Sequence, residues 1–369
     1  MSKQTYYRLE KLNDTIPANY HILLGERSNG KSYAVKERAL INAWKDDNAR
    51  FMLLRRWGME LKASYVEQYF VDAPITAITA NECNTVVCTG GKIYLAFYDT
   101  ETLKTVRKKH VGYYRDLCGE QHFVSQNFDD VNMIIFEEFI SRDYYLPNEC
   151  NKLMNFVSTV ARRRLVPVYM IGNTISRVCP YFTEWQLTKI PRQKMGTIDL
   201  YEIHTEQYEM PNVETIIRVT VEYCENSGKN SKMFFGKSSE MITTGQWQTK
   251  DYPHLNGKLN EYCVLHKLIF VHTGFKFAMF FVQSKNGGLP FWYVRPYTDN
   301  IYNTPKTHGE RFVVRSYAES LHIMSDMVTI GFTPLTQEEN ETFKYLEHLT
   351  FSDNLTGSDF DACFKTINR

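Results

Sequence analysis

The segment HILLGERSNGKSYA, residues 21–34, sets the architecture of everything around it. Its apolar run, Ile22 to Leu24, reads as a buried strand, and a helix-compatible run begins near Lys31. Between them stand Gly25, Glu26, Arg27, Ser28, Asn29, Gly30, Lys31 and Ser32. This is G-x-x-x-x-G-K-[ST] with a strand before it and a helix after it, the context that gives the pattern its meaning. Gly25 and Gly30 permit backbone angles that turn successive amides inward around phosphate oxygens. The helix start adds the positive end of its dipole at the same point. Lys31 can reach the β- and γ-phosphates, and the Ser32 hydroxyl can take a place on Mg²⁺. A glycine-rich turn without a ligand is the plain alternative, and the flanking strand and helix argue against it. The expected ligand is a nucleoside triphosphate.

Working outward, Phe51 to Arg56 (FMLLRR) reads as a second buried strand ending in two arginines. Val131 to Phe136 is continuously apolar, as suits a central parallel strand buried on both faces, and Glu137-Glu138 follow at once. Acids at the carboxyl edge of such a strand lie where α/β sheets bind ligands. Beside a phosphate loop, Glu137 can orient a hydrated metal and Glu138 can polarise the attacking water. Alone, the pair would be an ordinary acidic turn. Pro147 is placed to open the next helix. At 100° per residue, Leu153, Phe156, Val157, Val160 and Ala161 share one face, and Arg162 falls almost opposite it. Arg162 to Arg164 are therefore either a cationic helix end facing the dipole or the source of an arginine finger for a neighbouring subunit's nucleotide. Val166 to Gly172 forms another buried strand ending at Asn173, which is either a γ-phosphate sensor or a turn former. With Ile198 to Ile203 as a last strand, strand–helix alternation to about residue 205 predicts a mostly parallel α/β sheet.

The whole chain, 369 residues and 43% hydrophobic, is long enough for two domains, here residues 1–206 and 259–369. A polar, Gly/Ser-rich stretch makes residues 207–258 the expected linker region. In the second part Tyr262 to Val271, Phe275 to Gln283 and Phe291 to Arg295 read as a β-meander with turns at Thr273-Gly274 and Asn286 to Gly288. Helices are expected near Arg315 to Ser325 and Gln337 to Leu349. A Gly90-Gly91 turn between Val86–Thr89 and Lys92–Leu95 is a hairpin signal. The net charge of +1 gives no support to nucleic-acid binding, so any such contact must come from local patches. The densest, Lys104 to His110 (KTVRKKH), is either a solvated loop face or a contact with nucleic acid. Eight scattered cysteines without a C-x-x-C pair read as reduced thiols, not as a zinc site or a disulfide framework. The most apolar long run, Cys263 to Gln283, is broken by His and Lys and does not read as a membrane span.

With these stretches in place, the chain resembles the DNA-encapsidation ATPases of small tailed phages with protein-primed linear genomes, relatives of large terminase subunits. GERSNGKSYA is similar to their phosphate loop, with Arg27 at the position of an arginine common in that group. FMLLRR, IIFEEFI, LPNECNKLMNFVSTVARRR and IGNTISRVCPYF follow in the family's order. The resemblance covers roughly residues 18–185. It implies a P-loop ATPase of the additional-strand, catalytic-glutamate (ASCE) type followed by a small α+β ribonuclease-H-like domain. It further implies ATP and Mg²⁺ as cofactors, Glu138 as the base, and Arg162 acting in trans. Its partners would be double-stranded DNA, a homomeric ring of five subunits, the portal at the procapsid vertex and, as a candidate, a structural packaging RNA. The place would be the host cytoplasm, with transient procapsid binding and no membrane, and the mature virion would lack the protein. Lys62, Lys108 and Lys109 are candidate DNA contacts. Two departures stand out. Glu137 occupies a position where the family usually has Asp, and the strands CVLHKLIFV and FKFAMFFVQ carry no acid, so two-metal cleavage is not expected. The rival readings are a P-loop phosphotransferase on a small molecule and a terminase-type ATPase with nuclease activity.

Overall fold

The computed structural model describes residues 7–10, 16–27, 29–123, 126–141, 144–162, 164–206, 214–225, 247, 249–272, 275–298, 313–315, 328–329 and 348–367. The chain divides into two compact units, Met1–Ile175 with Gln193–Gln246, and Ser176–Arg192 with Trp247–Arg369.

The first unit is built on nine strands: β1 (Tyr20–Gly25), β2 (Arg50–Arg55), β3 (Thr85–Thr89), β4 (Lys92–Asp99), β5 (Lys104–Asp116), β6 (Val131–Glu137), β7 (Val168–Asn173), β8 (Thr197–Glu206) and β9 (Glu214–Tyr223). Their order across the sheet is β3-β4-β5-β2-β6-β7-β1-β9-β8. From β5 to β9 every neighbouring pair is parallel. β3–β4, β4–β5 and β8–β9 are antiparallel. The mostly parallel sheet read from the sequence is thus the one observed. β1 and β7 lie deep in it: Ile22, Leu23, Leu24, Val168 and Met170 are fully buried. Burying such side chains contributes about 1.5–3 kcal/mol each, which is what fixes the strand edges in place. Helices α1 (Lys31–Lys45), α2 (Ala63–Tyr69) and α3 (Glu149–Ala161) accompany the sheet. Val35, Ala39 and Leu40 of α1 pack into one core cluster with Leu23, Phe51 and Ile135.

The structure corrects several expectations. KTVRKKH is no loop; it begins β5, whose first five residues are exposed and of which Lys104 to Arg107 pair with β4. Thr197–Glu206 is not the sheet's last strand in sequence, because β9 inserts between it and β1. Residues 214–223 therefore belong to the first sheet and not to a linker. Val219 and Val221 are fully buried on one face of that strand, with Ile217 partly buried beside them. Pro147 does not start α3. Asn148 intervenes in a left-handed conformation, φ +52°, and the helix begins at Glu149.

In the second unit β10 (Tyr262–His272), β11 (Phe275–Ser284) and β12 (Phe291–Pro296) form the expected antiparallel meander. β13 (Val313–Arg315), β14 (Val328–Thr329) and β15 (Leu349–Phe351) extend it to the order β14-β13-β10-β11-β12-β15. Phe360 and Cys363 of α4 (Asn354–Ile367) pack against Phe277, Trp292 and Phe351. Phe275 and Phe281 lie in the same cluster. The Ser176–Arg192 segment joins this unit, and Arg177 forms an ion pair with Asp359. The turn at Thr273-Gly274, most of the Gly/Ser-rich stretch, and all but the ends of the two expected later helices lie outside the described residues. None of the eight cysteines is joined in a disulfide. Among the described residues no helix is long and apolar enough to cross a membrane.

Candidate functional site

Parallel pairing brings the carboxyl ends of β1, β2, β6 and β7 to one edge of the sheet. Gly25 and Asn173 are register partners there. A cavity of about 1240 Å³ opens at this edge, lined among others by Arg27, Lys31, Ser32, Glu137, Glu138 and Asn173. That exceeds the roughly 300–1,000 Å³ of typical ligand clefts.

The loop is shaped as the sequence demands. Gly30 takes φ +100°, open to glycine and costly to other residues, and caps α1 without a side-chain hydrogen bond. A Cβ on Gly25 would stand 3.0 Å from Asn29 Nδ2. Lys31 folds back onto its own loop, donating from Nζ to the Glu26 carbonyl at 2.6 Å and to Asn29 Oδ1 at 3.1 Å. Burial pushes its ammonium below the ordinary lysine range, opposed by neighbouring charges that include Glu137 and Glu26. The Asn29 Nδ2 amide is buried without a hydrogen-bond partner, an orphan donor inside the loop. An anion with acceptor oxygens fits such a cradle. Ser28 lies outside the described residues.

The two acids at the end of β6 have opposite surroundings. Glu137 is buried and accepts from the Ser32 hydroxyl at 3.2 Å and the Tyr69 hydroxyl at 2.6 Å. Burial raises its pKa, while the bonds from Tyr69 and Ser32 and the Arg55 charge pull it back. Glu138 is exposed, and its backbone adopts φ +54°. Arg55 at the end of β2 reaches its carboxylate at 3.0 Å and holds Glu60 at the same distance. Arg56 donates to the Glu138 and Phe139 carbonyls and forms a buried ion pair with Glu149 at 2.7 Å. The strained turn at Glu138 is therefore anchored from below. Ser32 and Glu137 together supply the oxygen donors that a hard divalent cation prefers, so this pair fits Mg²⁺.

Sequence reasoning missed three participants. Tyr69 and Arg55 join the acids through contacts that no local pattern announces, although the two arginines closing FMLLRR were visible. Tyr7 lines the cavity, receives its position from a backbone bond to the Asn29 carbonyl at 2.9 Å, and donates to Glu222 at 2.7 Å.

The remaining candidates lie elsewhere. Arg162 follows α3 with φ +51°, is exposed, and stands 3.9 Å from Asp129. Asp129 precedes β6, whereas Glu137 ends it; six residue steps along that strand span roughly 20 Å. Arg162 thus sits by the opposite edge of the sheet. Arg163 is outside the described residues, and Arg164 ties the end of α3 to the start of β6, donating to the Val160 carbonyl of the helix and to the Phe128 and Val131 carbonyls. Lys62 and Lys108 are exposed. Lys109 is committed to its own fold, bonding the Trp44 carbonyl at 2.8 Å and Asp47 at 2.6 Å.

A glycine-rich loop between a central parallel strand and a helix, faced by acids two strands away, defines a nucleotide site of the P-loop class. Residues 1–206 match the podovirus DNA encapsidation protein (Gp16) family, and the chain belongs to it. Among curated relatives, the DNA packaging protein of Bacillus phage phi29 is 27% identical over 277 residues, 67% of this chain and 76% of that one. That of Bacillus phage B103 is 30% identical over 253 residues, 62% and 73% of the two chains. Among solved structures, a chain of the bacteriophage Phi-29 viral genome packaging motor assembly aligns over 98% of this chain and 99% of its own, at 18% identity and a TM-score of 0.49.

Proposed function

We propose that the chain is the ATP-hydrolysing motor subunit that drives double-stranded phage DNA into a procapsid. The observation that carries the catalytic reading is the Ser32–Glu137 hydrogen bond with Glu138 as the next residue, all three lining the same cavity. In this reading the loop from Gly25 to Ser32 binds the phosphates, and Lys31 turns from the Glu26 carbonyl to the β/γ-phosphates. Ser32 and Glu137 would hold Mg²⁺, which would supply charge neutralisation at the phosphates. Glu138 accepts the proton of the attacking water, released for that role when its ion pair with Arg55 opens. Asn173 is placed to sense the γ-phosphate. Arg162, too far from its own chain's Glu137, serves the neighbouring subunit in a ring of five.

Family membership and the relatives' names support DNA packaging as the task that hydrolysis drives. The ring would dock on the portal vertex in the host cytoplasm, with a structural RNA as a candidate partner, and leave before the virion matures. DNA would be gripped through its backbone, with Lys62 and Lys108 better placed than the engaged Lys109. The second unit would be a non-cutting, ribonuclease-H-like domain, since β10, β11 and β12 carry no carboxylate. Double-stranded DNA should stimulate ATP turnover. Glu138→Gln should keep nucleotide binding while turnover drops about 10²–10⁴-fold. Retained turnover would remove Glu138 as the base, and indifference to DNA would count against translocation.

A further inference from the structure

A glutamate side chain ends in a broad, soft torsion, so one at the position of Glu137 does not by itself present a fixed oxygen. Mg²⁺ tolerates little departure from octahedral geometry. Something must hold this carboxylate. We infer that Tyr69 is a positioning residue for the metal: its hydroxyl fixes Glu137 Oε1 and leaves Oε2 facing the Ser32 hydroxyl. The inference rests on the reading of this cavity as a site for a nucleotide with Mg²⁺.

The Tyr69 hydroxyl donates to Oε1 at 2.6 Å, and Oε2 accepts from Ser32 at 3.2 Å. The first bond lies in the short range typical of a hydroxyl on a carboxylate, where hydrogen bonds are strong. The phenol is itself held. Lys36 Nζ lies 4.5 Å from its ring centroid, donates to the Tyr69 carbonyl at 2.7 Å and pairs with Asp72. Phe70 packs against it edge-on at 5.0 Å. Lys36 belongs to α1, the helix whose first turn carries Ser32. The two groups that orient Glu137 are therefore referred to one rigid element, Ser32 directly and Tyr69 through Lys36. The circuit Ser32–Glu137–Tyr69–Lys36 closes on a single helix. Such a circuit fixes a long carboxylate without shortening it. Aspartate at 137, one methylene shorter, would leave the phenol without its partner.

Tyr69→Phe removes the hydroxyl and keeps the ring, so the packing of Lys36 and Phe70 is retained. Partners that orient a metal-binding group typically account for a factor of 10–100 in metal affinity. A fluorescent ADP analogue titrated into the full-length chain should bind the variant about tenfold more weakly than wild type in MgCl₂, and equally well in EDTA. Mn²⁺ titrated into the nucleotide-loaded protein and followed by electron paramagnetic resonance should show the same loss of about tenfold. In a Glu137→Asp background, Tyr69→Phe should add nothing further, because the bond it removes is already gone. Unchanged affinity in MgCl₂, or equal weakening in MgCl₂ and EDTA, would overturn the positioning role. Lys31→Ala reports separately on the site: if it binds the analogue in EDTA as well as wild type does, the phosphate-loop reading fails. A wild type that binds no nucleotide in either buffer would overturn both.

Discussion

At the carboxyl edge of the first sheet, β1, β2, β6 and β7 end on Gly25, Arg55, Glu137 and Asn173, and the charged groups are tied to one another. Arg55 is divided between Glu138 and Glu60, Arg56 is locked on Glu149, and Glu137 is held through both oxygens. The amino edge is organised differently. Arg164 is spent on three carbonyls, Val160 in the last turn of α3, Phe128 just before β6 and Val131 at its start, whereas Arg162 meets Asp129 only at 3.9 Å, with both side chains more than half exposed. An exposed pair at that distance contributes little, so Arg162 is loosely held. In the proposed mechanism the one edge binds, orients and activates, and the other offers an exposed cation held only by its loose pair with Asp129. That contrast is consistent with the proposal that a complete site takes the carboxyl edge of one subunit and the amino edge of another.

The sharpest way to break that contrast is Arg162→Ala. An arginine supplied to the transferring phosphate is worth about 10³–10⁵ in turnover, so the variant should lose at least about 10³-fold while its nucleotide affinity stays near wild type. Mixing it with Lys31→Ala subunits should restore part of the hydrolysis, because mixed rings contain some junctions with an intact loop and an intact arginine. No recovery at any mixing ratio would remove the trans role, and the amino edge would become ordinary surface.

Arg56→Ala tests the carboxyl edge's rigidity. Its side chain and that of Glu149 are 6% and 0% exposed. Removing one partner of such a pair leaves the other charge buried and alone, a loss of about 3–5 kcal/mol. The urea midpoint should fall accordingly, and Arg56→Lys should fall less because it keeps the charge but not the two-pronged bond to Glu149. An unchanged midpoint would mean that the Glu138 turn needs no anchor.

What could be read beforehand follows from how far each interaction reaches along the chain. GERSNGKS and IIFEE are local patterns with local consequences, and the apolar runs of β1, β2, β6 and β7 are long enough to announce buried parallel strands. Helical periodicity puts Arg162 on the outward side, but the residue stands one past the end of α3 and outside helical geometry, so periodicity does not set its direction. Its positive φ was not legible either, since the backbone there answers to how α3 ends. Tyr69 was illegible because its partner lies 68 positions away, and nothing in ASYVEQY marks a residue that must meet a carboxylate. β9 was overlooked for another reason. Its alternating Ile217, Val219 and Val221 are a sound strand signal, but polar sequence on both sides suggested a linker. Only pairing with β1 and β8 reveals it as part of the sheet.

The two edges also differ in what they bury, and pH separates them. Near the amino end of β1, His21 is stacked on Tyr169 at 4.8 Å and hydrogen-bonded through Nδ1 to Thr220 Oγ1 at 2.8 Å. Burial holds it neutral and lowers its pKa from 6.5 to about 4. Above pH 6.5 the ring is neutral in the folded and unfolded chains alike and costs nothing. As pH falls below 6.5 the unfolded chain takes up a proton that the folded chain refuses, so stability declines until the folded ring titrates near 4. Over that window the loss amounts to about 3 kcal/mol. His21→Asn keeps a polar partner for Thr220 and cannot titrate. Its urea midpoint should therefore fall less than wild type's between pH 6.5 and 4, and the difference between the two profiles isolates this one group. Parallel profiles would place the acid sensitivity elsewhere, with the buried carboxylates of the other edge the first groups to examine. A diverging pair would show that the buried His21 ring carries part of the fold's sensitivity to acid.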